Sequence, residues 1–316
     1  MQTKIDLSFV IPVKDEQDTI AELVQQIAAV VADLELSHEV VLVDDGSTDR
    51  SWEVMQELVQ GSASIQAVRL RRNFGKAAAL ASGFAQSHGD IVFTMDADLQ
   101  DRPDQIPKFL EELESGVDVV SGWKERRNDP RSKTLPSQLF NLVVAKLSKI
   151  PLKDFNCGFK AYRREVLDKI RLYGELHRFV PVLAHDLGFK ISEVSVLHDE
   201  RKHGQSKYGW ERYARGLLDL LTVLVTTRYL QKPAHFFGGI GILAGFVGFL
   251  ILTYLSGVWL LGGGPIGTRP LFSVGVLCVI LSIQMISIGI LAELINRNAN
   301  ARPISDYIAL KIGDDR

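Results

Sequence analysis

The sequence predicts an α/β fold: a doubly wound, mostly parallel sheet with helices on both faces, followed by amphipathic helices and a two-helix apolar hairpin. Two observations predict it. An apolar run that ends in an acidic or glycine turn and leads into a helix recurs four times, the signature of a parallel sheet covered by helices. Further on, no residue is charged from Phe236 to Thr268 or from Pro270 to Ala292. The resulting organisation is a globular unit over 1–208 and amphipathic juxtamembrane helices over 209–232. A hairpin over 233–295 follows, with crossings at about 236–261 and 270–292, and a tail over 296–316.

The first strand is Leu7 to Pro12, LSFVIP, followed by Asp15-Glu16-Gln17-Asp18. Ile20, Leu23, Val24, Ile27, Val30, Val31 and Leu34 then keep the period of a helix, with acidic residues at the positive end of its dipole. Glu39 to Val43, EVVLV, is the second strand. It ends in Asp44-Asp45-Gly46-Ser47-Thr48-Asp49 before a short helix around Trp52, Met55 and Leu58. A third strand near Gln66-Ala67-Val68 leads through Arg71-Arg72-Asn73-Phe74-Gly75-Lys76 to a small-residue helix, Ala77 to Gln86. Ile91 to Met95 is the fourth strand and Val117 to Ser121 the fifth. Ligands of such sheets bind beyond the carboxyl ends of the strands, so the acidic clusters at Pro12 to Glu16, Asp44-Asp45 and Asp96 to Gln100 converge on one crevice. The sequence has no G-x-G-x-x-G after a strand and no G-x-x-x-x-G-K-[ST], so it supports neither a dinucleotide fold nor a P-loop.

The rest of the chain is organised around Val92 to Gln105, VFTMDADLQDRPDQ. On extended backbone Asp96 and Asp98 would share a face. Carboxylates that close repel, so one takes a proton or a cation sits between them. Acidic and amide oxygens suit Mg2+ or Mn2+ better than zinc or copper, and such an ion can hold a diphosphate. A solvated acidic turn is the plainer meaning of a lone Asp-x-Asp. A calcium loop is excluded, because its sixth and twelfth positions, counted from Asp96, hold Asp101 and Pro107.

The 316 residues are 23% charged and 46% hydrophobic, and the apolar excess is concentrated in the hairpin. A net charge of −2 argues against nucleic acid as a partner. Two cysteines, Cys157 and Cys278, suggest no disulfide framework and fit a reducing compartment. The opening MQTKIDLSFVIP enters a strand at once and lacks the apolar core of a signal peptide.

The ordered series VIPVKDE, VLVDDGSTD, RRNFGKAAALASGF and TMDADLQDRPDQIP resembles the family 2 glycosyltransferases of the GT-A fold. The continuation, DFNCGFKAYRREV, then H-x-x-R-x-x-G-x-S-K-Y and two apolar segments, is similar to the polyprenyl-phosphate glycosyltransferases. That group includes dolichyl-phosphate mannose synthases and bacterial bactoprenol glucosyltransferases. The resemblance implies that Pro12, Val13, Glu16, Val43 and Asp45 hold the nucleoside of a nucleotide sugar. It also implies that Asp96, Ala97, Asp98 and Gln100 form the metal and diphosphate site, with Asp96, Asp98 and Gln100 as ligands of Mg2+ or Mn2+. Lys14-Asp15-Glu16 stands where the family usually has aromatic-Asn-Glu, so UDP and GDP both stay open. Asp44 and Asp45 read equally as helix caps after a glycine turn. Lys76 reads as a donor contact or as a solvated helix start.

Trp123 to Lys133, WKERRNDPRSK, is a charge run of the kind that usually marks a solvated loop. Because it follows the fifth strand, Lys124, Arg126, Arg127 and Arg131 are expected beside the crevice, where they could bind the phosphate of a second substrate. Arg201, Ser206 and Lys207 are expected to join them. Asp154 invites the role of general base, yet a phosphate monoester with a second pKa near about 6 is already a nucleophile at neutral pH. Asp154 is equally suited to orient Lys160 or a loop arginine. His177, His185, His198 and His203 make no zinc spacing and are expected to be structural or surface residues.

Trp210, Ala214, Leu217, Leu218, Leu221, Val225 and Tyr229 recur on one helical face, which suits a helix lying in a membrane interface. Phe236 to Leu261 would span about 39 Å as a helix, enough for a tilted crossing of a hydrocarbon core of about 30 Å. Arg228 and Lys232 precede the crossings, Arg297 and Arg302 follow them, and Arg269 stands alone in the turn, so both ends are expected to face the cytoplasm. The expected activity is inverting, metal-dependent transfer of a hexose from a UDP- or GDP-linked donor to undecaprenyl or dolichyl phosphate at the plasma (inner) membrane. Two such hairpins could pack together as a homo-oligomer. A polysaccharide synthase is the alternative enzyme, disfavoured by two crossings and no Q-x-x-R-W-like motif. A non-catalytic membrane partner is the alternative from another class.

Overall fold

The computed structural model describes residues 4–124, 141, 144–145, 150, 152–170, 172, 176–197 and 233–299. The chain divides into two units, Met1–Leu220 and Leu221–Arg316. In the first, β1 (Leu7–Val13), α1 (Ile20–Asp33), β2 (His38–Asp44), α2 (Ser51–Gly61), β3 (Ile65–Arg69), α3 (Lys76–Gln86) and β4 (Ile91–Thr94) come in turn. A 3-10 turn at Pro103–Gln105, α4 (Ile106–Glu114) and β5 (Val119–Lys124) follow. The later elements are β6 (Lys160–Arg163), α5 (Arg164–Lys169), a 3-10 turn at Leu176–Phe179, α6 (Val180–Asp186) and β7 (Ile191–Val196).

Seven strands make one sheet in the order β3-β2-β1-β4-β6-β5-β7. β3, β2, β1 and β4 run parallel, as do β5 and β7, while β6 is antiparallel to both β4 and β5. The four strand–turn–helix repeats are therefore present as expected, and the sheet is mostly parallel. β5 begins at Val119 rather than Val117 and runs on to Lys124. The two residues before it turn out of α4, with Gly116 at φ 93 and the Asp118 N–H donating to the Lys190 carbonyl.

Alternation along the strands divides the core into two layers. Phe9, Ile11 and Val13 of β1, Leu42 of β2 and Phe93 of β4 meet α1, α2 and α4 through Leu23, Ile27, Met55 and Phe109. Val10, Val41, Val43 and Val92 face the other way, toward Ala79 and Leu80 of α3, Val166 of α5 and Val180 of α6. Phe93 stacks on Phe9 with centroids 5.2 Å apart, and Phe109 and Phe159 lie 4.3 Å apart, so β6 is tied to the core by its entry residue. At the amino end of the sheet the buried Glu39 carboxylate is occupied structurally. It accepts from Ser8 Oγ at 2.6 Å, Gln66 Nε2 at 2.9 Å and the His88 N–H at 2.5 Å.

The second unit contributes α7 (Pro233–Leu260) and α8 (Pro270–Ala299), each long and apolar enough to cross a membrane. Only 11% of either apolar window is buried, and Leu243, Phe249, Leu277 and Ile283 are exposed, a surface suited to lipid and indicating membrane association. The two helices pack closely through small residues. A Cβ on Gly241 would meet the Ser282 carbonyl at 2.9 Å, and one on Gly245 would meet Ser282 Oγ at 2.6 Å. The Glu293 carboxylate accepts from the Ala234 N–H at 3.3 Å and so caps α7.

Candidate active site

The carboxyl ends of β1, β2 and β4 lie along one edge of the sheet, with Val13 opposite Asp44 and Val10 opposite Thr94. The loops leaving β1 and β2 are zipped together there. The N–H groups of Asp15, Glu16 and Gln17 donate to Ser47 Oγ, Ser51 Oγ and Asp49 Oδ2, at 2.9, 2.9 and 3.3 Å. In return, the Thr48 and Arg50 N–H groups donate to Asp15 Oδ1 and Gln17 Oε1 at 2.7 and 2.9 Å. Lys14 Nζ donates to the Gly46 carbonyl at 2.5 Å. Asp15 takes a left-handed backbone, φ 54, to make these bonds, a conformation that a short polar side chain tolerates.

Asp45 follows β2 with its N–H on the Val13 carbonyl, and its carboxylate accepts the Phe74 and Gly75 N–H groups at 2.7 and 3.0 Å. It is therefore committed to the turn that opens α3. Gly75, at φ 93, permits that turn, and Lys76 begins the helix. The Lys76 ammonium reaches across to form an ion pair with the Asp96 carboxylate.

β4 ends at Thr94, so Asp96 to Gln100 is a turn; the condition for a shared face, extended backbone, is not met. Two residues of chain still keep Asp96 and Asp98 within about 7 Å. Ala97 and Leu99 are buried in the α1-side core and anchor the turn, with Leu99 at φ 59, a costly backbone for a branched residue. Asp98, 7% exposed, accepts the Gln100 N–H at 3.3 Å. Gly158, just before β6, backs onto Asp96, and a Cβ there would lie 2.6 Å from Oδ2. Thr94 Oγ1 donates to the Gly158 carbonyl at 2.8 Å and fixes that contact.

Because Lys160 and Ser121 pair across β6 and β5, the ends of both strands bring further charges to the same place. Burial pushes the Asp96 carboxyl up, but Lys76 beside it, helped by Lys124 and His177, holds it at about 2. Burial alone would lower Lys124, and the surrounding Asp101, Cys157, Asp96 and Asp154 raise it. Lys160, 3% exposed, is pulled down chiefly by desolvation while it donates to the Cys157 and Phe155 carbonyls. Burial, with Asp101 nearby, pushes the Cys157 thiol to about 12, which keeps it protonated. His177 lies well below its ordinary value through burial, then Lys76, Arg178 and Lys160, and so stays neutral at pH 7.

Residues 8–171 match the family described as Glycosyl transferase family 2. The chain belongs to glycosyl transferase family 2. This family 2 glycosyltransferase is 38% identical over 318 residues to the dodecaprenyl-phosphate galacturonate synthase of Rhizobium johnstonii, covering 99% of this chain and 94% of that protein. It is 37% identical over 303 residues to the undecaprenyl-phosphate 4-deoxy-4-formamido-L-arabinose transferase of Pseudomonas fluorescens, covering 94% and 87%. Mycobacterium tuberculosis glucosyl-3-phosphoglycerate synthase, solved in complex with Mn2+, UDP and glucosyl-3-phosphoglycerate, has the same fold. The TM-score is 0.55 at 18% identity, covering 71% of this chain and 80% of that one. The expected GT-A fold is thus found, with its mostly parallel sheet made mixed by the antiparallel β6.

The expected donor set for a metal is two carboxylates, Asp96 and Asp98, with the Gln100 amide. Among the described residues no group of three or more His, Cys, Asp or Glu is poised to hold an ion. Two hard carboxylates fit Mg2+ or Mn2+ bound jointly with substrate phosphates, the usual arrangement for Mg2+, better than a closed protein cage. Of the expected donor residues, the Val13 and Val43 side chains point into the two cores at 0% exposure, away from any crevice, while Pro12 is part-buried. Glu16 stands in the zipped loops, where its carbonyl accepts from Thr19 Oγ1 at 3.1 Å. Asp154 is buried and accepts the Asn156 N–H at 3.1 Å. Arg126, Arg127, Arg131, Arg201, Ser206 and Lys207 lie outside the described residues, as do 209–232, expected to form juxtamembrane helices, and the tail beyond Ala299. His177, expected to be a structural or surface residue, is set beside Lys76 and Lys160, and Gly158 was not among the expected site residues. The signal for Gly158 was its position in DFNCGFK, a glycine just ahead of a strand.

Proposed function

We propose that this chain transfers a sugar from a nucleoside diphosphate to the phosphate of a polyprenyl lipid, with inversion, at the cytoplasmic leaflet of a membrane. The observation that carries the reading is likeness along the whole chain, catalytic unit and apolar hairpin together, to enzymes named for that acceptor. One relative is named for galacturonate, a six-carbon sugar acid, and another for 4-deoxy-4-formamido-L-arabinose, a pentose, so the sugar proposed is a hexose, with a pentose as the alternative. The arginines that flank the two apolar helices support an orientation with both ends in the cytoplasm, where nucleotide sugars are made.

In this reading an oxygen of the lipid phosphate attacks the anomeric carbon as the bond from that carbon to the diphosphate breaks, and the nucleoside diphosphate departs with the electron pair. The nucleophile is already deprotonated near neutral pH, given a second pKa of about 6, so the protein's task is to align two anions. Asp96, Asp98 and Gln100 would hold a divalent ion, which supplies charge neutralisation for the leaving diphosphate. The zipped loops after β1 and β2 frame the nucleoside, and Asp45 holds the turn that presents Lys76. Lys124, Arg126, Arg127 and Arg131 meet the lipid phosphate, with Arg201, Ser206 and Lys207, while Asp154 positions the Asn156 turn and not a proton.

The test is a thermal-shift screen of the purified protein with Mn2+ and a panel of UDP- and GDP-sugars, followed by transfer to a short-chain polyprenyl phosphate. A selective donor shift and a lipid-linked sugar are expected. Failure of every donor to raise stability or to transfer would sink the reading.

A further inference from the structure

The Asp96 carboxylate already has a cation on it, and the chain itself supplies that cation. An inference follows that rests on the transfer reading above and extends it. The Lys76 ammonium is bonded to Asp96 Oδ1 at a spot where neighbouring carboxylates demand positive charge. A divalent ion coordinated by the same carboxylate competes for that oxygen. We propose that Lys76 is a built-in placeholder. It neutralises Asp96 until a nucleoside diphosphate arrives, then turns to the diphosphate oxygens and releases Asp96 to the divalent ion.

Three features make the ammonium the part that moves. Asp96 is pinned from behind, because Gly158 packs so close that a Cβ would stand 2.6 Å from its oxygen. The backbone leading into Lys76 is pinned as well, since Asp45 holds the Phe74 and Gly75 N–H groups. The four-carbon stem of the lysine has more rotatable bonds than the short aspartate, so it is the longer-reaching member of the pair. The two side chains are 29% and 35% exposed, so a ligand reaches the pair without unfolding anything. The lysine also opens an eleven-residue helix, whose amino end favours an anion. A diphosphate entering from that side meets the dipole and the ammonium together.

The consequence is coupling. The ion binds poorly while Lys76 occupies its carboxylate and better once a nucleotide has drawn the lysine away, and the coupling is reciprocal. Full-length protein in detergent is titrated with Mn2+ by calorimetry, alone and with UDP or GDP, for the wild type, Lys76→Met, Lys76→Arg and Lys124→Met. Without nucleotide, Lys76→Met is expected to bind Mn2+ about fivefold more tightly than wild type, the scale of a partly exposed ion pair, and UDP or GDP less tightly. Lys76→Arg retains wild-type behaviour. Lys124→Met removes an equal charge that acts on Asp96 from nearby and is expected to change Mn2+ affinity less. Melting curves establish that each variant is folded.

The inference is overturned if Lys76→Met binds Mn2+ alone no more tightly than wild type, or if Lys124→Met shifts it equally. Nucleotide-dependent Mn2+ binding that Lys76→Met leaves unchanged removes this inference alone. A wild type that binds Mn2+ neither alone nor with nucleotide removes the metal from the transfer reading too.

Discussion

Gly158→Ala is the most direct test of the way this site is built. The added methyl would stand 2.6 Å from Asp96 Oδ2 and 2.8 Å from Cγ. That is roughly 1 Å inside the optimum of about 3.5 Å for non-bonded atoms. The carboxylate has to give way, because the Gly158 carbonyl is held by Thr94. Asp96 is 35% exposed on its side chain and can tilt outward, so the stability cost belongs at the low end of overpacking, about 1 kcal/mol. Activity is another matter, since misplacing a catalytic group by about 1 Å costs on the order of 100-fold. At about 1.4 kcal/mol per factor of ten, that corresponds to roughly 2.8 kcal/mol of transition-state stabilisation. Release of nucleoside diphosphate in the presence of short-chain polyprenyl phosphate measures the rate, and differential scanning fluorimetry measures the fold. A variant within about threefold of wild-type kcat/KM, with the same Mn2+ dependence, would show that the placement of Asp96 does not matter to the chemistry.

Asp98→Ala is expected to abolish transfer while the protein still inserts in membranes, as read by activity and membrane fractionation; full activity would remove the metal from the mechanism. Asp45→Asn keeps one acceptor for two N–H donors, so it should lose about 1.5 to 3 kcal/mol of stability and raise the donor KM, with Asp45→Ala worse on both. The pH dependence of stability has a definite sign at His177. Its folded value is depressed below the ordinary 6.5, so the contribution is complete above about that pH and is lost as the pH falls toward the lower folded value. Melting temperature should therefore drop below pH ~6.5 in wild type and drop less in His177→Gln. An equal drop in both would assign the acid sensitivity elsewhere.

The parallel half of the sheet was legible because each strand is a short apolar run with its own turn chemistry, as LSFVIP before Asp15 and EVVLV before Asp44 demonstrate. β6 was not legible. Its four residues, Lys160-Ala161-Tyr162-Arg163, carry charges at both ends and give no strand signal, and only pairing with β4 on one side and β5 on the other makes them a central strand. β7, Ile191–Val196, alternates weakly because it sits at an edge, with polar residues at Ser192, Glu193 and Ser195. In the site, the acidic clusters were readable from their positions after strands. Their partners were not. That Asp45 spends its carboxylate on Phe74 and Gly75, or that Lys76 reaches Asp96 twenty residues on, depends on how loops from different strands meet. His177 makes no zinc spacing, and only folding sets it beside Lys76 and Lys160, a setting that nothing in the chain order announces.

In the proposed reading the β1 and β2 loops frame the nucleoside, and their reciprocal bonds then bear on any change of donor. Each loop satisfies the other's backbone, so replacing Asp15, Ser47, Asp49 or Ser51 singly orphans an amide on the opposite strand's exit. A shift in nucleobase preference by drift at one position would first pass through a weakened framework. Lineages that switch bases should therefore carry matched replacements on both loops, and laboratory redesign will succeed sooner by transplanting the two loops as a pair.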